Sequence, residues 1–202
     1  MLSILARFAD WFVPNKLLNL GSINLLTRAR ILIFVLSFTI VLAIGLYIYG
    51  TFLSHFSNAM LFAAGLFSVI VIVFSVISLN LFKFTGSFSL VGNIWAVGAY
   101  LSITSSTYYS GGFAESPVTP YLICLPILMY LITNTSWVIF WSIIVSVTSA
   151  VLLMVSEQGY VFPQLFSDSH RYSLFTTDCV IVVLIALSVW SCNRLILQDC
   201  ED

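Results

Sequence analysis

One short segment of this chain combines the residue types from which ligand-binding turns are commonly built. Residues 108–126 read YYSGGFAESPVTPYLICLP, with two glycines, one carboxylate and three prolines between apolar stretches. The paired Gly111 and Gly112 predict a tight reversal with positive φ, and Pro117 is typical of the first turn of a helix. The carboxylate of Glu115 can receive a cation or a polar ligand head, or it can be a solvated loop charge. The candidate ligand-binding residues of this segment are Gly111, Gly112, Glu115, Ser116 and Pro117.

Polar side chains also recur along the apolar stretch that precedes this segment. Asn93, Tyr100, Thr104 and Thr107 follow one another at spacings of 7, 4 and 3 residues, which places them on one face of a helix. We expect this face to look into a helix bundle, where it either hydrogen-bonds neighbouring helices or contacts a ligand. Asn93, Tyr100 and Thr104 are therefore further candidates for ligand binding.

Two pairs of small residues lie on the same stretch. Gly92 with Ala96, and Gly98 with Ser102, are each separated by four positions. Small residues at this spacing let the backbones of two helices approach closely. We therefore expect tight contacts between this helix and its neighbours.

One carboxylate, Asp178, falls inside a predicted membrane span. A charged side chain at that depth is costly and needs a partner. Protonation, an ion pair with Arg171, or hydrogen bonds to the polar face described above would each satisfy it. A structural role and a ligand-binding or proton-carrying role both remain open, so Asp178 joins the candidate ligand-binding residues.

The composition indicates whether the chain is surrounded by water or by lipid. Of 202 residues, 60% are hydrophobic and 7% are charged, whereas about a quarter of the residues in a soluble domain are charged. The chain is therefore predicted to be a membrane protein, with the lipid bilayer as its first partner. A net charge of −1 without a dense basic cluster argues against a nucleic-acid partner.

The sequence contains no recognisable motif for metal binding or hydrolysis. Its four cysteines include no C-x-x-C pair, and His55 and His170 lack a ligand spacing, so no metal site is predicted. The patterns H-E-x-x-H and G-x-S-x-G, which signal hydrolytic sites, are absent. We expect a protein without a catalytic site, and we expect Cys124, Cys179 and Cys192 to be small buried hydrophobes.

The hydropathy pattern predicts an all-α polytopic membrane protein, a six-helix transmembrane bundle with an N-terminal interfacial amphipathic helix. A bilayer core about 30 Å thick requires about 20 apolar residues per helix. Residues 1–30 form the N-terminal amphipathic and juxtamembrane segment, residues 31–197 the transmembrane domain, and residues 198–202 a cytoplasmic tail. The predicted spans are Ile31–Leu53, Ala59–Leu81, Leu90–Tyr109, Val118–Ile132, Trp137–Val155 and Leu174–Arg194.

Two prolines are expected to shape helices. Apolar residues recur at helical spacing up to Pro14, which should end an interfacial helix there. Pro126 lies inside the fourth span, where it removes an internal hydrogen bond and is expected to kink the helix. Arg28 and Arg30 precede the first span and can reach anionic lipid by snorkelling.

The basic residues predict the orientation of the bundle. With six spans, both termini lie on one side, and six of the seven Lys and Arg residues share that side, with only Arg171 opposite. An excess of Lys and Arg marks the cytoplasmic side, so both termini are predicted to be cytoplasmic. The segment 111–117 and the loop over residues 156–173 are expected to share the outer face.

These features together resemble a known family. The lead-in ADWFVP and LLTRARILI, followed by six spans with GGFAESPVTPYLICLP entering the fourth, resembles the six-helix membrane input domains of bacterial sensor histidine kinases, some of which are joined to nucleotide cyclases instead. In quinone-responsive kinases of this type, a GG-x-x-(N/S)-P-F segment before a membrane helix is implicated in quinone contact. Gly111, Gly112, Ser116 and Pro117 match that segment, with one additional residue before Ser116 and with Val118 in place of the aromatic.

The resemblance implies a signal-sensing module of a bacterial inner membrane that works as a homodimer. It also implies a small apolar or amphipathic ligand, with quinone as one possibility, and no resident cofactor. No phosphoacceptor histidine, ATP-binding region or cyclase domain is recognisable, so the signal is expected to pass to a cytoplasmic signalling domain or partner. Pro126 and the cytosolic end of the sixth span at Arg194 are the residues expected to transmit it.

Two other functions are compatible with the same residues. A polar third span and a proline-containing fourth span could line the pathway of a small transporter or channel. Small-residue faces would equally suit a structural subunit of a larger membrane complex. Against transport, the two three-helix halves show no internal repeat, and Asp178 is alone within the spans.

Overall fold

The computed structural model describes residues 11–19, 23–52, 58–112, 116 and 118–163. These residues form α-helices joined by turns, and no β-strand occurs among them. The all-α prediction is therefore confirmed for this part of the chain. The helices are α1 (Asn15–Asn19), α2 (Ile23–Phe52), α3 (Asn58–Thr85), α4 (Phe88–Tyr109), α5 (Thr119–Ile132) and α6 (Thr135–Glu157).

Four of these helices are long and apolar enough to cross a membrane, which indicates a membrane protein, as the composition predicts. α5 is shorter: its 14 residues extend about 21 Å at about 1.5 Å per residue, less than the ~30 Å of a bilayer core. The candidate spans on α2, α3, α4 and α6 are Leu25–Gly45, Ala64–Thr85, Phe88–Tyr109 and Thr135–Glu157.

Three parts of the predicted architecture lie outside the described residues. They are the sixth predicted span, Leu174–Arg194, the predicted cytoplasmic tail over residues 198–202, and residues 1–10 of the predicted interfacial helix. Trp11 and Phe12 are helical, and this helical stretch ends immediately before Val13 and Pro14. The described break lies at Val13 and Pro14, and the interfacial helix itself stays a prediction.

α2 begins at Ile23 and not at the predicted Ile31. The residues before Ile31 include Leu, Ala and Arg, which are good helix formers, so the helix extends beyond its most apolar stretch. Arg28 and Arg30 consequently lie within α2 rather than ahead of it. Nη2 of Arg28 donates a 3.5 Å hydrogen bond to the backbone oxygen of Thr133, which joins the start of α2 to the end of α5.

The long helices pack as an up-and-down bundle in which consecutive helices are antiparallel. α3 packs on both α2 and α4, and α5 packs on both α4 and α6. The core lies among α2 to α5, where side chains such as Leu36, Phe82 and Leu122 are fully buried. On α6, Trp141 and Val145 are buried, while a long apolar outer surface is exposed, as suits a helix in contact with lipid.

The small residues of α4 allow the close helix contacts that their spacing predicts. At Gly98, an added Cβ would overlap the side chain of Phe74 on α3. At Gly92, an added Cβ would lie 2.6 Å from Cγ2 of Thr133 at the end of α5. Ser102 Oγ donates a 3.1 Å hydrogen bond to the backbone oxygen of Phe67. α4 is therefore the helix around which α3 and α5 are fitted.

Pro126 lies inside α5 without interrupting it. The proline cannot donate the backbone hydrogen bond that would reach the carbonyl of Leu122. The neighbouring Leu122, Leu125 and Met129 are all buried, so packing against the core holds this turn in helical form. The transmission role of Pro126 stays a prediction.

Charged residues in the described part of the chain separate to the two ends of the bundle. Glu157 lies at the end of α6, beside the end of α4, and we call this the distal end. The opposite end, where α2 begins, we call the basic end. It carries Lys16, Arg28, Arg30 and Lys83.

Candidate functional site

The glycine pair after α4 forms the reversal that the sequence predicts. Gly111 has φ of 104° and Gly112 has φ of 81°. Both angles lie in the region that favours glycine over residues with a Cβ. The prediction of a tight reversal with positive φ is confirmed, and it turns the chain at the distal end of the bundle.

Ser116 holds this reversal closed. It is buried, and its Oγ lies 2.5 Å from Oγ of Ser110. Its backbone N–H donates a 3.1 Å bond to the carbonyl of Gly112, while its Oγ accepts a 3.3 Å bond from the backbone N–H of Val118. The hydroxyl of Ser116 is therefore engaged by the loop itself, which gives Ser116 a structural role beside its predicted ligand contact.

An aromatic cap, formed by Tyr108, Tyr160 and Phe162, covers the reversal. Phe162 is 5% exposed, and a Cβ added at Gly112 would come within 2.7 Å of its Cε2 atom. The hydroxyls of Tyr108 and Tyr160 are 2.6 Å apart, and the rings of Tyr108 and Phe162 meet edge to face at 5.5 Å. The chain after α6 thus folds onto the end of α4, and the two loops expected to share a face come together.

The polar face of α4 contacts α6 at two points. Nε1 of Trp141 donates a 2.8 Å hydrogen bond to Oδ1 of Asn93. One heptad further along, the hydroxyls of Tyr100 and Thr148 are 2.5 Å apart. Both pairs join positions 48 residues apart in the chain, so α4 and α6 run parallel with a fixed register.

Towards the distal end, the polar face of α4 differs in its hydrogen bonding. Oγ1 of Thr104 and Oγ1 of Thr107 are buried and have no hydrogen-bond partner among the described residues. Thr107 is fully buried. Each hydroxyl can donate one hydrogen bond and accept others. This end of α4 can therefore form further hydrogen bonds inside an apolar bundle.

The site is electrically neutral within the described part of the chain. Glu157, the described charged residue at the distal end, is exposed. Cys124 is a buried free thiol, as expected for a small hydrophobe. The described residues contain no group of three or more His, Cys, Asp or Glu that could hold a metal ion. The arrangement is therefore suited to hydrogen-bonding a neutral molecule.

Several predicted site residues are not placed by the structure. Glu115, Pro117, Asp178 and Arg194 lie outside the described residues, so their predicted roles stay predictions. Of the predicted residues that are described, Asn93, Tyr100 and Thr104 share one line along α4, while Gly111, Gly112 and Ser116 form the reversal at its end.

The sequence reasoning missed the partners of the α4 face. Trp141 and Thr148 are not among the predicted site residues, although they are seven positions apart, the same spacing that separates Asn93 from Tyr100. That matched spacing was the available signal. The packing of Phe162 on Gly112 had no such signal, because the two residues lie in different loops.

Comparisons with protein-family models, curated proteins and solved structures find no match for this chain. The resemblance to sensor input domains therefore rests on the residues quoted for it.

Proposed function

We propose that this protein is a membrane-embedded signal-sensing module that binds a small apolar or amphipathic ligand. One observation carries the proposal: the polar face of α4 is hydrogen-bonded to α6 at Asn93 and Tyr100 but ends in the buried hydroxyls of Thr104 and Thr107, which have no hydrogen-bond partner among the described residues. A buried polar group without a partner costs free energy. A ligand that accepts hydrogen bonds from these two hydroxyls removes that cost, and this favours its binding.

The chemistry of the site defines the ligand class. The described charged residues lie at the basic end or, in the case of Glu157, are exposed. This favours a neutral ligand at Thr104 and Thr107, because an anion would be buried without a countercharge from these residues. Two threonine hydroxyls on adjacent turns suit an acceptor such as a carbonyl oxygen, and the surrounding apolar side chains suit an apolar body. A quinone combines both features, and it dissolves in the bilayer from which the site is reached.

The proposed mechanism is a shift between two packings of the bundle. A ligand bound beside Thr104 lies one turn from Tyr100, whose hydroxyl contacts Thr148 on α6. Binding therefore biases the register between α4 and α6. In the proposal, the change continues through the sixth predicted span to its cytosolic end at Arg194, and from there to a signalling domain or partner. Pro126 provides a weak point in α5 at which two packings can interconvert.

The proposed location is a bacterial inner membrane with the basic end on the cytoplasmic side. The separation of Lys16, Arg28, Arg30 and Lys83 from the distal end supports this orientation, because Lys and Arg are enriched on the cytoplasmic side. The proposed active form is a homodimer. The distal end, with its glycine reversal and aromatic cap, then faces the periplasm.

A binding titration tests the proposal. The chain is reconstituted in lipid nanodiscs and titrated with decylubiquinone, and tryptophan fluorescence quenching is recorded. We expect saturable quenching whose Kd rises at least about fivefold in the variant T104V/T107V, since each of the two lost hydrogen bonds is worth about 0.5–1.5 kcal/mol. T39V is the matched control, because Thr39 donates to Val35 of its own helix, and it should leave the Kd unchanged.

Three outcomes would overturn the proposal. Quenching that rises linearly with quinone, and equally in T104V/T107V, would show partitioning into lipid rather than a site. Facilitated flux of a solute in proteoliposomes would favour a transporter or channel. A stoichiometric membrane partner together with an absence of saturable binding would favour a structural subunit.

A further inference from the structure

Three buried polar atoms lie in the core away from the proposed ligand site, on three different helices. They are Oγ of Ser37 on α2, Oγ of Ser75 on α3 and Nε1 of Trp95 on α4, and none has a hydrogen-bond partner among the described residues. Ser75 is 0% exposed and Trp95 is 3% exposed. Three such atoms in one apolar core require an explanation, because nearly all buried polar groups are paired.

The contacts between α3 and α4 place Ser75 and Trp95 at one level. Oγ of Ser78 donates a 3.3 Å hydrogen bond to the backbone oxygen of Val91, which fixes the register of this antiparallel pair. Ser75 lies three residues before Ser78, and Trp95 lies four residues after Val91. Each step is one helical turn in the same direction, so Ser75 and Trp95 lie at the same level of the bundle.

The contacts between α2 and α3 bring Ser37 to that layer as well. Oγ of Ser68 donates a 3.3 Å hydrogen bond to the backbone oxygen of Ala43. Ser75 lies seven residues after Ser68, and Ser37 lies six residues before Ala43. Both steps are close to two helical turns. Two interhelical registers, neither of which involves Ser37, Ser75 or Trp95, therefore place these three residues at one level of the bundle.

We infer that Ser37, Ser75 and Trp95 form an internal binding site for a water molecule between α2, α3 and α4. The indole N–H can only donate, whereas each serine hydroxyl can donate and accept. One water accepts from Trp95 and from one serine, and donates to the other serine. This gives the three hydrogen bonds that are typical of buried water.

The surroundings of this site favour a neutral molecule over an anion. Arg28 and Arg30, the described basic residues of α2, lie at the basic end, seven or more positions from Ser37. Seven residues of helix correspond to about 10 Å. Lys83 on α3 lies eight positions from Ser75. A chloride ion with the same acceptor chemistry would therefore be buried without a neighbouring countercharge from the described residues, which is far more costly than burying water. The site is distinct from Thr104 and Thr107, so it stands independently of the proposed function.

Magnetisation transfer from water tests this inference. The full chain, labelled with 15N-indole tryptophan in detergent micelles, is examined for water cross-peaks at each indole N–H. We expect a cross-peak at Trp95, assigned through intraresidue connectivity, and none at Trp141, whose N–H is bonded to Asn93. S75A should reduce the Trp95 cross-peak at least about twofold. S142A, which removes a hydroxyl bonded within its own helix, should not change it.

Three results would contradict the inference. The first is the absence of a water cross-peak at the Trp95 indole N–H in the wild-type chain, which is measured without any substitution. The second is a Trp95 resonance that shifts saturably when chloride is exchanged for bromide at constant ionic strength, which would identify an anion site instead. A water cross-peak that S75A leaves intact would likewise contradict the assignment of Ser75.

Discussion

The indole N–H of Trp141 donates a hydrogen bond to the side-chain oxygen of Asn93, and this contact is repeated one heptad later by Tyr100 and Thr148. α4 and α6 are not consecutive helices; each packs on α5, which lies between them in the chain. Side chains on two parallel helices therefore set their register. This register is the structural element that the proposed signal would change.

The bond between Asn93 and Trp141 should contribute measurably to stability. W141F should lower the free energy of unfolding by about 1–3 kcal/mol, because it leaves the Asn93 oxygen unpaired in an apolar surrounding. The measurement is unfolding of the micelle-bound chain by SDS, followed by circular dichroism. W137F is the control, since Trp137 is partly exposed and its side chain makes ring contact with Phe140; it should cost less.

A double-mutant cycle isolates this pair. N93L combined with W141F should show a coupling energy of about 0.6 kcal/mol, the average for hydrogen bonds within membrane helix bundles. Strictly additive effects of the two substitutions would mean that the bond does not contribute to stability, and the register between α4 and α6 would then need another source.

The close approach of α4 to α3 predicts that two glycine-to-alanine substitutions change the free energy of unfolding in opposite directions. G98A should destabilise the bundle by about 1–3 kcal/mol, because the new methyl group overlaps Phe74. G45A, at a helical glycine with nothing within 4 Å of an added Cβ, should stabilise by up to about 1 kcal/mol through helix propensity. The same SDS unfolding assay compares them. Equal effects would contradict the packing described for Gly98.

The reversal at Gly112 combines a positive φ with a steric contact, and two substitutions separate these effects. G159A alters a glycine with φ of 82° and no neighbour within 4 Å of an added Cβ, so its cost of about 1–2 kcal/mol comes from the backbone alone. G112A should cost more than this, because the added Cβ also meets Phe162. In the F162A background that excess should disappear, and an excess that persists would show that the aromatic cap is not what constrains Gly112.

Much of the described architecture was predictable because it depends on local periodicity. The 7, 4 and 3 spacing of Asn93, Tyr100, Thr104 and Thr107 placed them on one face, and the pairing of Gly111 with Gly112 predicted positive φ. The small residues Gly92 and Gly98 predicted close helix contacts. Each of these inferences needs only the geometry of a single helix or turn.

What could not be predicted depends on contacts between distant parts of the chain. Nothing local to Phe162 indicates that its ring covers Gly112, and nothing local to Trp141 names Asn93 as its acceptor. The start of α2 at Ile23 was also missed, because a hydropathy window ends where arginines appear, whereas the helical backbone continues through Arg28 and Arg30.

The separation of charge predicts which end of the bundle is cytoplasmic. Phe84 near the basic end and Val161 at the distal end are 82% and 84% exposed, so they provide matched positions for single cysteines in a chain without native cysteines. In intact spheroplasts, a membrane-impermeant maleimide should label V161C, and should label F84C only after permeabilisation. The reverse pattern would contradict the proposed orientation.

The most direct test of the sensing account is whether ligand binding changes the arrangement of α4 and α6. Spin labels at L101C and V151C, both at exposed positions, report the distance between these helices in nanodiscs by pulsed electron paramagnetic resonance. The account predicts that saturating decylubiquinone shifts the distance distribution in the otherwise wild-type chain and leaves it unshifted in T104V/T107V. An unchanged distance distribution, at a decylubiquinone concentration shown to saturate the site, would contradict the account.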